Sequence, residues 1–397
     1  MLIQATNRWL SIRVDAAGAL VSFFAGAFIL RNIDTLDAGL AGLSLTYAIT
    51  FTEHMLWVVR LYSVNEMNMN SVERIREYLQ VESEAVRRSL PGHEPPKDWP
   101  QKGAVKVQHL TLRYAPDLPT VIRDVTFEVE PSAKVAVVGR TGAGKSTIAA
   151  AFFRFLEADS GRIIIDDVDI GTIGLQELRS KMAIIPQDPT LFKGNHFLNL
   201  LTTGSLRFNL DPYGQHPDAS IYESLHRVHL INATELTDSR TGDSSTNQNV
   251  FLNLDTEVAE GGGNLSQGQR QLMCLARALL KSPRVIIMDE ATASIDYATD
   301  SKIQMTIRKE FVSSTILTSN HVTTVLTVVA HRLRSIIDFD KVLVLDAGEV
   351  KEYDHPHLLL QKEDSIFRGM VEQSGEKDIL VDLAHAAWKK TLLVDVE

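Results

Sequence analysis

Gly139-Arg-Thr-Gly-Ala-Gly144-Lys145-Ser146 is the stretch whose reading decides the fold. It follows Lys134-Val-Ala-Val-Val138, an apolar run of the kind buried in a parallel sheet, and it leads into a helical pattern. Strand, glycine loop, helix is the order in which such a loop holds phosphate. The glycines let backbone N–H groups face an anion, and a helix opening near Lys145 adds the positive end of its dipole. The candidate nucleotide-binding residues are therefore Gly139, Arg140, Thr141, Gly142, Ala143, Gly144, Lys145, Ser146 and Thr147. Lys145 is expected to reach the β- and γ-phosphates, and the Ser146 hydroxyl to hold Mg2+.

Working outward, Val105-Lys-Val-Gln-His-Leu-Thr-Leu-Arg-Tyr114 and Val125-Thr-Phe-Glu-Val-Glu130 alternate like half-buried strands. Downstream, Val285-Ile-Ile-Met-Asp289-Glu290 is a hydrophobic strand that ends in two carboxylates. Asp289 stands where the metal is held, usually through water, and Glu290 where an attacking water needs a base. Just ahead of this strand lies Leu265, Ser266, Gln267, Gly268 and Gln269. Ser266 and Gln269 have the spacing of a capping box that starts the helix carrying Cys274.

The chain has 397 residues, a formal net charge of -10 and 44% apolar residues, enough for one large or two ordinary domains. An acidic balance without a Lys/Arg-rich block argues against a dedicated nucleic-acid surface. Cys274, the only cysteine, reads as a buried structural thiol, so no disulfide forms within the chain and a reducing compartment suits the large domain.

Residues 16–30 and 38–52 are uncharged apolar runs, each shorter than the usual spanning length of about 20 residues. Arg8 and Arg13 precede the first, Arg60, Arg74 and Arg76 follow the second, and Asp34 and Asp37 lie between. That pattern predicts a positive-inside hairpin with both ends cytosolic, anchored by Trp9 and Trp57, with Glu53 and His54 near the interface. A buried soluble helix or a signal peptide are the competing readings of the first run. The helix is expected to continue in charged form to about residue 85, until Pro91, Pro95, Pro96 and Pro100 break it and mark the domain boundary.

The glycine loop, the Leu265–Gln269 segment and the acidic strand together resemble the ABC ATPases. The resemblance implies an α/β P-loop NTPase fold, an ABC cassette with antiparallel β and helical subdomains, preceded by transmembrane helices. It also implies further roles: Tyr114 stacks on adenine, Gln187 touches Mg2+ and the water, Asp296 forms the D-loop, and His331 contacts the γ-phosphate. The Leu265–Gln269 segment becomes the signature that faces ATP on an opposing domain. Asn7-Arg-Trp-Leu, Asn70-Ser-Val-Glu-Arg74, Ser205-Leu-Arg-Phe-Asn-Leu-Asp-Pro212 and Glu260-Gly-Gly-Gly-Asn-Leu-Ser look like the C-terminal end of subfamily C multidrug-resistance exporters, and the signature with Gln267 is similar to fungal members. In that family the second nucleotide domain keeps the carboxylate at the position of Glu290.

The domains implied are the end of a transmembrane domain over 1–90 with helices near 13–31 and 37–85, a linker at 91–103, a nucleotide-binding domain at 104–375 and a tail at 376–397. ATP and Mg2+ are the implied cofactors. The implied partners are an opposing nucleotide-binding domain, the remaining transmembrane helices, membrane lipid and an exported substrate, with no nucleic acid. The implied location is a multi-pass plasma-membrane or vacuolar protein with its nucleotide domain in the cytosol.

Two stretches depart from the family's pattern. Residues 195–204 intervene after Leu191-Phe-Lys-Gly194, and Thr315-Ile-Leu-Thr318 is echoed by Thr324-Val-Leu-Thr327, which makes one copy, within 319–328, surplus. Surface loops tolerate such insertions at little cost; translated intron sequence is the sharper alternative. A soluble repair ATPase would separate loop and signature by a long coiled coil, and a translation ATPase would carry two cassettes and no hairpin. A non-hydrolysing product, with Gln187 and His331 displaced by the surplus residues, is the other reading.

Overall fold

A computed structural model describes residues 2–193, 204–233, 235, 249–289, 296–321 and 333–394. They fall into two compact units, Met1–Glu84 and Ala85–Glu397.

The first unit is a pair of helices, α1 (Leu2–Arg31) and α2 (Ala38–Gln80). Asp37 caps α2 by accepting the amides of Gly39 and Leu40 at 3.0 and 3.3 Å. The acidic turn thus has a local task, ending one helix and starting the next. Phe23, Phe24 and Phe28 are each more than 60% exposed, the reverse of what a soluble helix does with its aromatics. Among the described residues one helix is long and apolar enough to cross a membrane, Ser11–Arg31. The second apolar run opens α2, whose remaining length is charged.

The second unit is built on two sheets. The larger has the order β10-β9-β3-β8-β7-β6, with β3 (Lys134–Gly139), β6 (Met182–Ile185), β7 (Val285–Asp289), β8 (Thr315–His321) and β9 (Lys341–Asp346) parallel and β10 (Glu349–Asp354) antiparallel at its edge. The smaller is antiparallel, in the order β2-β1-β4-β5, from β1 (Val105–Leu112), β2 (Ile122–Val129), β4 (Ser160–Ile165) and β5 (Val168–Asp169).

Strand alternation divides the larger sheet between three cores, which is why its strands read as unbroken apolar runs. Val135, Val137, Leu343 and Leu345 join the antiparallel sheet and α3 (Lys145–Phe152). Ile286, Met288 and Ile316 face a helical core that includes α6 (Asp218–Arg227) and α7 (Gln267–Lys281). Ala136, Val138, Val342 and Val344 face a third core at the C-terminal end. α4 (Leu175–Lys181), α5 (Leu206–Leu210) and α8 (Tyr297–Glu310) complete the central elements.

The C-terminal stretch from residue 376 contains a helix. This is α11 (Lys377–Val394), which packs on α9 (Pro356–Gln361) and α10 (Ile366–Gln373). Leu380 and Ala384 are fully buried with Leu359 and Phe367. Their i, i+4 spacing is the signal that a reading by composition passes over. Leu380→Ala is expected to cost about 2–5 kcal/mol, the range for emptying a buried leucine site. Denaturant unfolding would show it as a lower midpoint with an unchanged slope.

Candidate functional site

The phosphate-type loop leaves β3 at Gly139 and enters α3 at Lys145. Gly144 caps the helix at φ +99°, a left-handed conformation that a side chain would strain. Lys145 is buried, and its ammonium donates to the carbonyls of Gly139 at 2.9 Å and Arg140 at 3.0 Å. Burial pulls its pKa down to about 8, with Asp289 acting in the opposite direction. A lysine held inside a ring of backbone groups is poised for a multiply charged anion, which would restore its full charge.

The adjoining strands complete the corner. Asp289 ends β7, and its Oδ1 accepts a hydrogen bond from Ser146 Oγ at 3.2 Å and another from Ser319 on β8. Two oxygen side chains, Ser146 and Asp289, thus meet beside the loop, the donor type a hard divalent cation takes. Tyr114 is tied to α3 by a 3.1 Å hydrogen bond between its hydroxyl and Thr147, while the residue stays 58% exposed. The structure therefore brings Tyr114, Thr147, Lys145, Ser146 and Asp289 together with the loop residues Arg140, Thr141, Gly142 and Ala143.

Gln187 is exposed just beyond β6. Its neighbour Pro186 is tied to α7, because the Gln271 amide donates to the Pro186 carbonyl at 3.2 Å. Glu290 and His331 lie outside the described residues, as do 195–203 and 322–328.

The Ser266 segment starts α7 with a full capping box: Gln269 N donates to Ser266 Oγ, and Ser266 N donates to Gln269 Oε1 at 2.8 Å. Leu265 is buried beneath it and Gln267 opens the helix. Gly268 abuts α8 so closely that a Cβ would lie 2.7 Å from the Thr299 methyl. Asp296 caps α8 by accepting Thr299 N at 3.0 Å, and these hydrogen bonds hold its carboxyl below the usual range. Thr299 thus links the Asp296 turn to the Ser266 helix. In front of that helix a cavity of about 360 Å3 is lined by Ser266, Gln269, His229, Asn249, Thr299 and Lys302.

Several of these residues escape a reading by motif. Ser319 is placed by strand register, Thr299 and Lys302 by helix packing, and Gln271 by a side chain reaching to a distant backbone.

Residues 122–293 match the family described as ABC transporter. The chain is 56% identical over 397 residues to "Pleiotropic ABC efflux transporter of multiple drugs YBT1" of Candida glabrata, covering 99% of this chain and 23% of that protein. It is 55% identical to "ATP-dependent bile acid permease" of Saccharomyces cerevisiae, covering 98% of this chain and 23% of that one. It therefore spans about a quarter of the length of these relatives. A bacterial Atm1-family ABC exporter solved with ATP bound matches with a TM-score of 0.66 at 26% identity, over 93% of this chain and 58% of that one.

The Lys145 environment sets a pH dependence. Its lowered pKa means that it is cationic below about pH 8 and loses charge as pH rises through that value. An anion that binds the ammonium form is then bound fully below pH 8, and roughly tenfold more weakly for each pH unit above it. Titrating ATP affinity from pH 7 to 9.5 is expected to show this fall. Lys145→Met is expected to start weak and stay flat.

Proposed function

We infer, from the ABC transporter domain that this chain carries and from fungal ABC efflux transporters as its relatives, that it is the ATP-hydrolysing end of an exporter. The observation that carries the reading is the meeting of Lys145, Ser146 and Asp289 at the carboxyl ends of β3 and β7. Lys145 holds the β- and γ-phosphates, the loop amides cradle them, and the exposed face of Tyr114 takes the adenine. Ser146, Asp289 and Gln187 hold Mg2+, which when bound neutralises phosphate charge. Glu290 removes the proton from the attacking water, and His331 contacts the γ-phosphate.

The Leu265–Gln269 signature and Asp296 serve a different nucleotide, held by an opposing domain. The capped start of α7 presents unpaired amides and a positive dipole end, and Lys302 beside it adds a full charge. Closure of two such domains on ATP moves the attached helices, so turnover is coupled only in an assembly with a second domain and the remaining transmembrane helices. α1 and α2 belong to that membrane part, as two passes of a multi-pass protein of the plasma or vacuolar membrane. The cargo is drugs, toxins or organic anions, by extension from relatives named for multiple drugs and bile acid.

A second reading, a fragment that binds ATP without coupled turnover, draws on one observation. β8 is made from the first of the two echoing copies, Thr315–His321, so along the sequence the second copy and His331 come later.

Two measurements separate these readings. In an assembled transporter, Glu290→Gln is expected to lower ATP turnover by about 10²-fold or more, the usual loss for a missing general base, while ATP stays bound. Unchanged turnover would remove Glu290 from its role. Deleting residues 319–328 joins Thr318 to Val329-Ala330-His331. Under the exporter reading the intact chain already hydrolyses ATP in the assembly; under the fragment reading hydrolysis appears only after the deletion.

A further inference from the structure

Residues 81–104 are the covalent path from α2 to β1, and the part from Ala85 onward belongs to the second unit. This strap is fastened at two ends. At the far end Trp99 is buried, its indole N–H donates to the Ile165 carbonyl at 2.7 Å, and the Asp166 carboxylate accepts the amides of Lys102, Gly103 and Ala104. Those bonds are four in number, and the Trp99 one is buried.

The near end is held differently. The amides of Leu175 and Gln176 donate to the carbonyls of Val86 and Arg87 at 3.1 and 2.9 Å. Ser89 and one carboxylate oxygen add three more bonds. Ser89 N and Ser89 Oγ both donate to Glu177 Oε2 at 2.8 Å, and Ser89 Oγ accepts the Gly174 amide at 2.7 Å. The packing admits nothing more, since a Cβ on Gly174 would lie 2.4 Å from Ser89 N and 2.3 Å from Glu177 Oε2.

The Ser89 hydroxyl is only half-buried, on a chain segment without helix or strand. Arg87 and Arg88 directly before it are exposed, and so is Leu90 after it. Paired arginines beside an accessible serine in irregular chain suit the acidic cleft of a basic-directed protein kinase. We propose that Ser89 is a phosphorylation site whose modification unfastens the near end of the strap from α4. The Ser89 oxygen forms a bond to the γ-phosphorus of the kinase's ATP, the bond from that phosphorus to the β-bridging oxygen breaks, ADP leaves with the electron pair, and the hydroxyl proton goes to the kinase's base. The product loses the O–H donor that Glu177 accepts and sets a charge near -2 against that carboxylate. Repulsion and a missing donor act in the same direction. Arg87 and Arg88 offer the phosphate partners outside the pocket, so it has somewhere to go when the strap lifts.

This inference is independent of the nucleotide site. The purified chain in detergent is incubated with a kinase selective for paired arginines and ATP, the phosphate is located by fragmentation mass spectrometry, and hydrogen exchange is followed over residues 86–90 and 174–177. Phosphate is expected on Ser89, with exchange there about tenfold faster or more, as losing a hydrogen bond to a charged group implies. Ser89→Ala is expected to take no phosphate at this position. Glu177→Gln is expected to take it with a smaller gain in exchange, because the repelling charge is gone and only the missing donor remains. Absence of phosphate on Ser89, or a phosphorylated form whose exchange is unchanged or slower, overturns the proposal.

Discussion

The carboxylate of Asp289 is the point on which the arrangement depends. It closes β7, accepts from Ser146 at the start of α3 and from Ser319 on β8, and so ties together structures that the chain supplies from distant places. Parallel pairing makes this possible: β3 pairs with β8 and β8 with β7, all in one direction, so their carboxyl ends share one edge. Ligands of open α/β sheets bind at that edge, where loops diverge and helix N-termini gather. The buried Lys145 ammonium and the Asp289 carboxylate partly compensate each other there.

The same sheet supports both the glycine loop and the capped Ser266 helix. Its core-facing residues are divided, with Val285 and Ile287 turned to the antiparallel layer and α3, and Ile286 and Met288 turned to the helical core of α6 and α7. The phosphate-type loop belongs with the first face and the capped Ser266 helix with the second. One strand, β7, therefore stiffens both. The link through Thr299, which meets Gly268 and caps on Asp296, is confined to the helical side and gives the signature helix its own support.

How much of this was legible in the sequence follows from how local each signal is. The glycine loop, the capping box and the apolar strands depend on neighbours within four residues, and they stand as read. Lys302, Thr299 and Gln271 take their places only through packing between α7, α8 and the chain after β6, which no local pattern encodes. The strap before β1 reads as a proline-rich linker, and Pro91, Pro95, Pro96 and Pro100 do exclude helix there. What composition hides is that a chain without secondary structure can still be fastened by Trp99, Asp166 and Ser89. For α11 the local signal is the helical spacing of its apolar residues, and only the third core shows what they cover.

The echoing strand raises a choice that energetics resolves. Thr324-Val-Leu-Thr327-Val-Val is the more apolar copy and by propensity the better central strand. Yet the slot is occupied by Thr315-Ile-Leu-Thr318-Ser-Asn-His321. Two hydroxyls hold this copy in place, and the second of them distinguishes it from the other. Thr315, fully buried, donates to the Gly103 carbonyl at 2.7 Å and accepts the Ser132 amide at 2.9 Å, and Ser319 donates to Asp289. With the two threonines aligned, the second copy offers Thr324 for Thr315 but Val328 for Ser319, which would leave Asp289 without one donor at an edge where charge must be satisfied. Chain length adds to this, since the first copy follows α8 directly and closes a shorter loop. A strand selected by its polar contacts also fixes what it delivers, and the residue in register with Gly139 is His321. Along the sequence, the second copy lies between the strand that occupies the slot and His331.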